Sequence, residues 1–274
     1  MLILNIEFYV AGMKLKSMSA SPLISIVVVT LNAEKTIMDT IASLESQCFK
    51  DFEVIFKDGG STDSTIEKIK LSKLNYIIST EPDNGIYDAM NKGAIAASGD
   101  FLTFLNADDQ LFSNATLKNI SIHLITDNAD LYYGPINIIS ERNKENVQRE
   151  WKASIFNKLN FSLGFIPPHP GSVINRKVFF LLNSFDDSYK LAGDFDFFLK
   201  CLKMKIKNNS FNFVTVLMAD GGASSGLGRT LVIKCKEITR SFYNNGFIFL
   251  GLMHLTFRAF YRLVNILANM VRGN

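Results

Sequence analysis

Gly99 to Asp109 reads Gly-Asp-Phe-Leu-Thr-Phe-Leu-Asn-Ala-Asp-Asp, an apolar run that ends in an amide and two carboxylates. Phe101 to Leu105 is short and β-prone, which predicts a buried strand with the polar cluster directly after it. Asp108 and Asp109 therefore sit at a strand's C-terminal end, the edge of an open α/β sheet where ligands bind. Paired carboxylates beside an amide suit a hard divalent cation, Mg²⁺ or Mn²⁺, whose shell is completed by substrate phosphate oxygens. A helix cap or Asx-turn leaving the strand is the alternative. The second catalytic candidate lies in Ala192-Gly193-Asp194-Phe195-Asp196-Phe197-Phe198-Leu199. A helix from about Gly193 puts Asp194 in its first turn, where a carboxylate is favoured by the dipole and where simple N-terminal capping is the rival role. Asp196, two residues on, points elsewhere on such a helix. Between these stretches runs Phe165-Ile166-Pro167-Pro168-His169-Pro170-Gly171-Ser172, a stiff loop with a histidine among prolines.

The elements that must carry these groups begin upstream. Ser25-Ile26-Val27-Val28-Val29-Thr30 is a β-branched run suited to a central parallel strand. Leu31-Asn32 ends it, and Asn32 is placed to cap a helix with Ile37, Ile41 and Leu44 on one face. Phe52 to Phe56 predicts a second strand, stopped by Lys57-Asp58-Gly59-Gly60-Ser61-Thr62-Asp63-Ser64, where the glycines permit a tight turn. Asn75 to Ser79 predicts a third strand, and a helix runs from Ile86 to about Ala97 before Gly99. Strands alternating with helices predict a parallel sheet with right-handed crossovers. The first βα turn has no glycine, so it is not a dinucleotide fingerprint, and no Gly-Lys-Ser/Thr phosphate loop occurs.

With 274 residues, 47% hydrophobic and 20% charged, the chain reads as an ordered globular protein of one large or two small domains. A net charge of +3 gives no global case for nucleic acid as a partner. Cys48, Cys201 and Cys235 lack metal-ligand spacing and read as buried reduced thiols, which favours the cytoplasm. Met1 to Gly12 is apolar but carries Asn5 and Glu7 and has no basic n-region, so residues 1–22 read as an N-terminal extension rather than a signal peptide.

Taken together and in order, Ser25 to Asn32, Asp58-Gly59-Gly60-Ser61-Thr62-Asp63, Asn84-Gly85-Ile86-Tyr87-Asp88-Ala89-Met90-Asn91-Lys92-Gly93 and Asn106-Ala107-Asp108-Asp109 resemble the family-2 glycosyltransferases. The likeness covers about Pro22 to Asp109 and continues more weakly to about Arg240. It implies a GT-A fold, a Rossmann-like αβα sandwich with a mainly parallel sheet, split into a nucleotide-sugar half (23–112) and an acceptor half (113–240). It also implies a nucleotide-diphosphate sugar donor, a UDP-sugar being favoured, a divalent metal, and inversion at the anomeric carbon. Carried over, Thr30 and Asn32 line the nucleotide pocket, Asp58 hydrogen-bonds the base, and Asn84 and Lys92 border the donor, Lys92 near phosphate. The residues themselves equally allow Asp58 as a turn former, Asp63 as a helix cap and Lys92 as a solvated helix lysine. The family's Asp-x-Asp is here Asn106-Ala107-Asp108. Asn106 can meet a ribose hydroxyl or offer its carbonyl to the ion, Asp108 becomes the leading metal ligand, and Asp109 shares the ion or caps the next helix. His169 faces the acceptor or the donor phosphates, or is simply hydrogen-bonded in its loop. Asp194 matches the second residue of the family's Glu-Asp pair and takes the proton from the acceptor hydroxyl, with Asp196 as the lesser candidate on the acceptor side.

Downstream, a helix is predicted from about Asn114 to Ile125, a strand at Asp130 to Gly134, a polar hairpin from Ile136 to Trp151, and a strand from Phe211 to Met218. Ala219 to Ser225 follows, a loop resembling the family feature that closes over the donor, or a linker. Residues 241–274 read as an amphipathic helix: from Gly246 to Arg272 the chain is apolar except for His254, Arg258, Arg262, Asn265, Asn269 and Arg272. That stripe fits a helix lying in a membrane interface, with a partner-subunit face, and hence a homo-oligomer, as the alternative. The combined expectation is an inverting glycosyltransferase peripheral to the cytoplasmic face of a bacterial membrane. Its saccharide acceptor is lipid-linked by analogy with exopolysaccharide and O-antigen enzymes. A sugar nucleotidyltransferase would need a glycine-rich basic loop where Leu31-Asn32-Ala33-Glu34 stands. Asn106 keeps a non-catalytic nucleotide-sugar-binding scaffold in play.

Overall fold

The structure is a computed structural model describing residues 9–10, 13–14, 21–140, 143–221 and 229–257. Tyr9–Val10 (β1) and Met13–Lys14 (β2) pair as a short antiparallel ladder. Then follow β3 (Ile24–Thr30), α1 (Ile37–Glu45), β4 (Phe52–Asp58), α2 (Thr65–Ile69), β5 (Tyr76–Thr80), α3 (Ile86–Ala96) and β6 (Phe101–Asn106). The second half comprises β7 (Gln110–Leu111), α4 (Thr116–Thr126), β8 (Leu131–Tyr133), β9 (Ile136–Ser140), β10 (Asn143–Trp151), α5 (Lys158–Ser162) and β11 (Ser172–Asn175). After these come α6 (Arg176–Leu181), α7 (Gly193–Lys203), β12 (Asn208–Ser210), β13 (Val216–Ala219) and α8 (Arg229–Asn244). Residues 248–257 are also helical.

Seven of the described strands form one sheet in the order β12-β8-β11-β6-β3-β4-β5, in which β11 runs against the others. The chain steps outward from β3 through β4 to β5, then returns to lay β6 on the other side of β3. That reversal is a topological switch point, and it opens a crevice beyond the C-terminal ends of β3 and β6. Because β11 is reversed, its first residues lie at the same edge as the last residues of β6, with Val173 opposite Thr103. A second sheet, β10-β9-β13-β7, completes the strand arrangement.

Strand period fixes the layers. Ile24, Ile26 and Val28 of β3 pack with Ile37, Ile41 and Leu44 of α1 and Leu117 and Ile120 of α4. Val27 and Val29 face the other way, into a core with Met90 and Ala94 of α3 and Phe195, Phe197 and Phe198 of α7. A strand buried on both faces is apolar throughout, which is why Ser25 to Thr30 reads as a continuous run. The result is the expected α/β sandwich around a mainly parallel sheet.

Several local expectations change. The strand predicted over Phe211 to Met218 is shortened to Val216–Ala219, because Phe211 and Phe213 stack on one another and Phe211 on Tyr132 instead of extending a ladder. Of the cysteines expected inside, Cys201 is buried, Cys235 is half-buried and Cys48 is exposed. The boundary placed between residues 240 and 241 falls within α8. The loop at 222–225 and the C-terminal stripe beyond residue 257 lie outside the described residues.

Candidate functional site

Beyond β3 and β4, two loops at the sheet edge are stitched together. Gly59 N–H donates to the Thr30 carbonyl (2.9 Å), Asn32 N–H to Ser61 Oγ (2.8 Å), and Thr62 N–H to Asn32 Oδ1 (2.9 Å). Asn32 adopts φ 51°, a left-handed conformation that asparagine tolerates, so its side chain ties the loops and does not cap α1. Asp63 accepts from Thr65 N–H (3.0 Å) and Glu34 N–H (3.1 Å), taking part in the start of α2 and in the same stitching. Asp58 is enclosed, with Oδ2 accepting from Gly60 and Ser61 N–H (both 2.9 Å) and Oδ1 from Ser61 Oγ. A carboxylate has roughly four acceptor positions, so three are engaged in shaping the turn and one remains. The buried Lys57 ammonium donates to the carbonyls of Asp58 and Glu81, binding the ends of β4 and the following loop.

Asn84 is exposed and its backbone N–H donates to Asp88 Oδ2 (2.8 Å). Lys92 pairs with the same oxygen (2.9 Å) and donates to the Pro82 carbonyl (3.0 Å). Those contacts tie Lys92 to the start of α3. Burial alone would raise the Asp88 carboxyl, but the Asn84 N–H and Lys92 hold it below the usual range.

At the switch point, Val29 of β3 lies opposite Asn106 of β6. Thr30 Oγ1 and Asn106 Oδ1 are both buried, and among the described residues neither has a hydrogen-bond partner. An orphaned buried polar atom costs about 1–3 kcal/mol, so both of these call for a hydrogen-bonding partner from outside the chain, water or ligand. Asp108, two residues after Asn106, is half-buried. Asp109 does not share that outlook. It is 1% exposed, accepting from Asn106 Nδ2 (2.9 Å) and Ala219 N–H (3.2 Å). Burial, and then the charge of Asp108, push its carboxyl up to about 8. Its oxygens fasten the loop to β13 through the Asn106 amide and the Ala219 N–H.

Across the crevice, the reversed β11 brings its preceding loop to the same edge. His169 stacks on Phe104 of β6 (centroids 5.7 Å, 25°) and meets Phe185 edge-on (5.3 Å). Its Nε2 is buried and has no hydrogen-bond partner among the described residues. Burial lowers its pKa, opposed by the charge of Asp194, which brings these two candidates into one electrostatic neighbourhood. Asp194, half-buried at the start of α7, accepts from Tyr87 Oη–H (3.1 Å) and Phe195 N–H (2.8 Å). Burial, and then the Asp194 charge, raise the Tyr87 phenol well above its ordinary value, so Tyr87 is a donor. Asp196 is 2% exposed and fully engaged with Tyr189, Ser241, Asn245 and Lys200. Its expected acceptor contact is corrected to a tie between α7 and α8. The sequence names Tyr87 within a motif but gives no sign of its role, because its partner lies in a distant helix.

Comparison with known proteins places this geometry in context. The family model for glycosyl transferase family 2 matches residues 25–182. A PGL/p-HBAD biosynthesis glycosyltransferase of Mycobacterium bovis is 29% identical over 221 residues, covering 78% of this chain and 82% of the relative. The structure of S. aureus TarS 1–349 in complex with UDP-GlcNAc superposes with a TM-score of 0.65 at 21% identity, over 85% of this chain and 73% of that one. The chain spans 39% of a longer S. aureus TarS structure. Mannosyltransferase PcManGT from Pyrobaculum calidifontis, in complex with GDP-Man and Mn²⁺, gives a TM-score of 0.60 at 16% identity, over 93% and 81% of the two chains. These structures share the GT-A sandwich described above. With more than half of its length matched by the family model, the chain belongs to glycosyl transferase family 2 and is a glycosyltransferase.

Proposed function

We propose that the chain transfers a sugar, with inversion, from a nucleoside-diphosphate sugar to a hydroxyl of a lipid-linked saccharide in surface polysaccharide or glycolipid synthesis. The observation that carries this reading is the pair of orphaned atoms, Thr30 Oγ1 and Asn106 Oδ1, at the switch point, with Asp108 two residues after Asn106 and Asp194 across the crevice. Thr30, the Asn32 loop and the remaining acceptor position of Asp58 suit a nucleoside, and UDP is favoured. Relatives of the same fold in complex with UDP-GlcNAc and with GDP-Man and Mn²⁺ support a nucleotide-sugar donor and a divalent ion.

The residues present fit Mg²⁺ or Mn²⁺. Asp108 supplies one charged ligand and the unpartnered Asn106 carbonyl oxygen a neutral one, a sparse protein shell of the kind these ions accept when phosphates supply the rest. When bound, the ion supplies positive charge against the diphosphate leaving group. Asp194 accepts the proton of the acceptor hydroxyl, oriented by Tyr87, and His169, kept neutral by burial, lines the acceptor side. Attack from that side, opposite the leaving group, gives inversion in one displacement.

Thermal melts with UDP, GDP, CMP and dTDP, each with and without Mn²⁺, test the donor site. One nucleoside diphosphate with metal should stabilise the fold by roughly 2.7 kcal/mol at a hundred times its Kd. Asp108→Ala should abolish that shift, and Asp194→Asn should preserve it while lowering transfer roughly a hundred- to ten-thousandfold. A flat panel under every condition would refute the donor assignment.

Membrane association at the cytoplasmic face is the second part of the reading. Ile248, Phe249 and Leu252 are exposed on helix 248–257, and Ile155, Leu159 and Phe165 are exposed around α5. The two groups adjoin, since Lys158 lies over the Phe247 ring (5.1 Å) and Gly164 is next to His254. An apolar face flanked by Lys158, and followed in sequence by Arg258 and Arg262, suits an anionic lipid surface. Among the described residues no helix is long and apolar enough to cross a membrane.

A further inference from the structure

We infer, taking Asp194 as the base proposed above, that Glu237 of α8 is a positioning residue that sets the turn from which Asp194 projects. Three successive backbone N–H groups converge on its carboxylate. Lys190 N–H donates to Oε1 (2.8 Å), while Leu191 and Ala192 N–H donate to Oε2 (2.9 and 3.0 Å). Glu237 is 8% exposed, so these bonds are made largely out of water. Ala192 is the N-cap of α7 and has no side chain able to cap. Glu237 thus holds, from another helix, the three N–H groups that lead into α7, whose own first turn carries Asp194 and Asp196.

The opposite side of the turn is fixed by Tyr87. A Cβ on Gly193 would meet the Tyr87 ring at 2.8 Å, so Gly193 lies flat on that ring while its hydroxyl reaches Asp194. The backbone between Ala192 and Asp194 is therefore gripped from both sides, by a ring and by a carboxylate. The rest of α8 follows the same segment. Arg240 covers the Tyr189 ring (3.7 Å) and donates to Ser188 Oγ (2.8 Å), and Ser241 and Asn245 donate to Asp196 Oδ1 (2.8 and 2.9 Å). Among the contacts made from α8, Glu237 alone acts on the residues directly before Asp194; the others hold its flanks. A misplacement of an ångström at a reacting group costs about a hundredfold in rate, so the bonds of Glu237 bear on turnover and not on donor binding.

The test uses the full chain. Glu237→Gln keeps the size of the side chain but leaves one acceptor oxygen and turns an amide NH₂ toward backbone N–H groups. Its kcat should fall about a hundredfold. Nucleotide Kd and acceptor KM should stay within about twofold of the unaltered chain. Ser241→Ala, on the same helix face, should lower the melting temperature and leave kcat unchanged. Glu237→Gln transferring at the unaltered rate overturns the inference. So does a loss of nucleotide affinity in parallel with kcat, or a loss of kcat that Ser241→Ala reproduces. Asp194→Asn separates the two levels. If it still transfers sugar, the assignment of the base falls; if it is inactive while Glu237→Gln is active, only the role of Glu237 falls. Should Glu237→Ala fail to fold, the isosteric Gln variant decides.

Discussion

An amide at position 106 makes electrostatic sense beside a buried acid. Asn106 Nδ2 donates to Asp109, whose carboxyl is held up to about 8 by burial and by the Asp108 charge. A third carboxylate there would add like charge and remove a donor. The consequence can be read in stability. Asp109 has an ordinary value of 3.8 when unfolded, so between that pH and about 8 the folded state binds the extra proton. Its stabilising contribution is complete below the unfolded value and is lost as pH rises through the folded one. In EDTA, Asp109→Asn should therefore gain stability relative to the unaltered chain as pH rises from about 4 to about 8, by no more than about 1.4 kcal/mol per pH unit. Urea melts across that range check it, and parallel curves would sink it. The position of Asp108 and Asp109 was legible because an apolar run ends at them. Their division of labour was not, because it depends on Ala219, which arrives from β13 far along the chain. The same holds for Asp196, whose partners Ser241 and Asn245 sit on a helix no local pattern connects to it.

Elements rather than single side chains set how near α3 comes to the sheet. A Cβ on Gly93 would collide with Val27 of β3, and α3 carries both Tyr87 and Asn91 toward the second half of the chain. Asn91 clasps the Phe185 backbone, donating to its carbonyl (2.8 Å) and accepting its N–H (3.1 Å). Alanine is the better helix former by about 1 kcal/mol, yet overpacking costs about 1–3 kcal/mol. Gly93→Ala should accordingly destabilise the fold, by up to about 2 kcal/mol net, seen as a lower denaturation midpoint at unchanged slope. A midpoint at or above that of the unaltered chain would mean that Val27 yields freely. Strand and helix order were readable from hydrophobic period, since β3, β4 and β6 are buried on both faces and α1 on one. Helix-to-sheet distance left no such mark: Gly93 looks like any helix glycine until Val27 is placed under it.

At the scale of the whole molecule, apolar surface gathers where α5 and helix 248–257 meet. Phe249 is 73% exposed and Leu252 58%, with Ile155 at 73% and Leu159 at 58% on the adjoining element. Burying such side chains in lipid gains about 1.5–3 kcal/mol each, so Phe249→Asp with Leu252→Asp should weaken sedimentation with anionic vesicles by tenfold or more. Melting of the doubly altered chain should stay close to that of the unaltered one, since both side chains point away from the core; equal vesicle binding by the two would remove the lipid face. The sequence showed an apolar C-terminal segment but not that its exposed side chains adjoin those of α5, which the packing of Lys158 over Phe247 reveals, nor that His254 of its polar stripe is buried. The grip of α8 on the segment 188–196 also decides where the chain is divisible. A chain ended before α8 keeps Thr30, Asn32, Asp58, Asn106 and Asp108 and loses the Glu237 carboxylate that binds the turn before Asp194, together with the Ser241 hydroxyl and Asn245 amide that bind Asp196. The segment that carries Asp194 and the helices that follow it are thus not modules joined at a linker. Beyond α8 the same holds, since buried His254 packs on Phe195, the residue after Asp194, and on Phe242 of α8, so the segment that begins α7 is held from as far along the chain as helix 248–257.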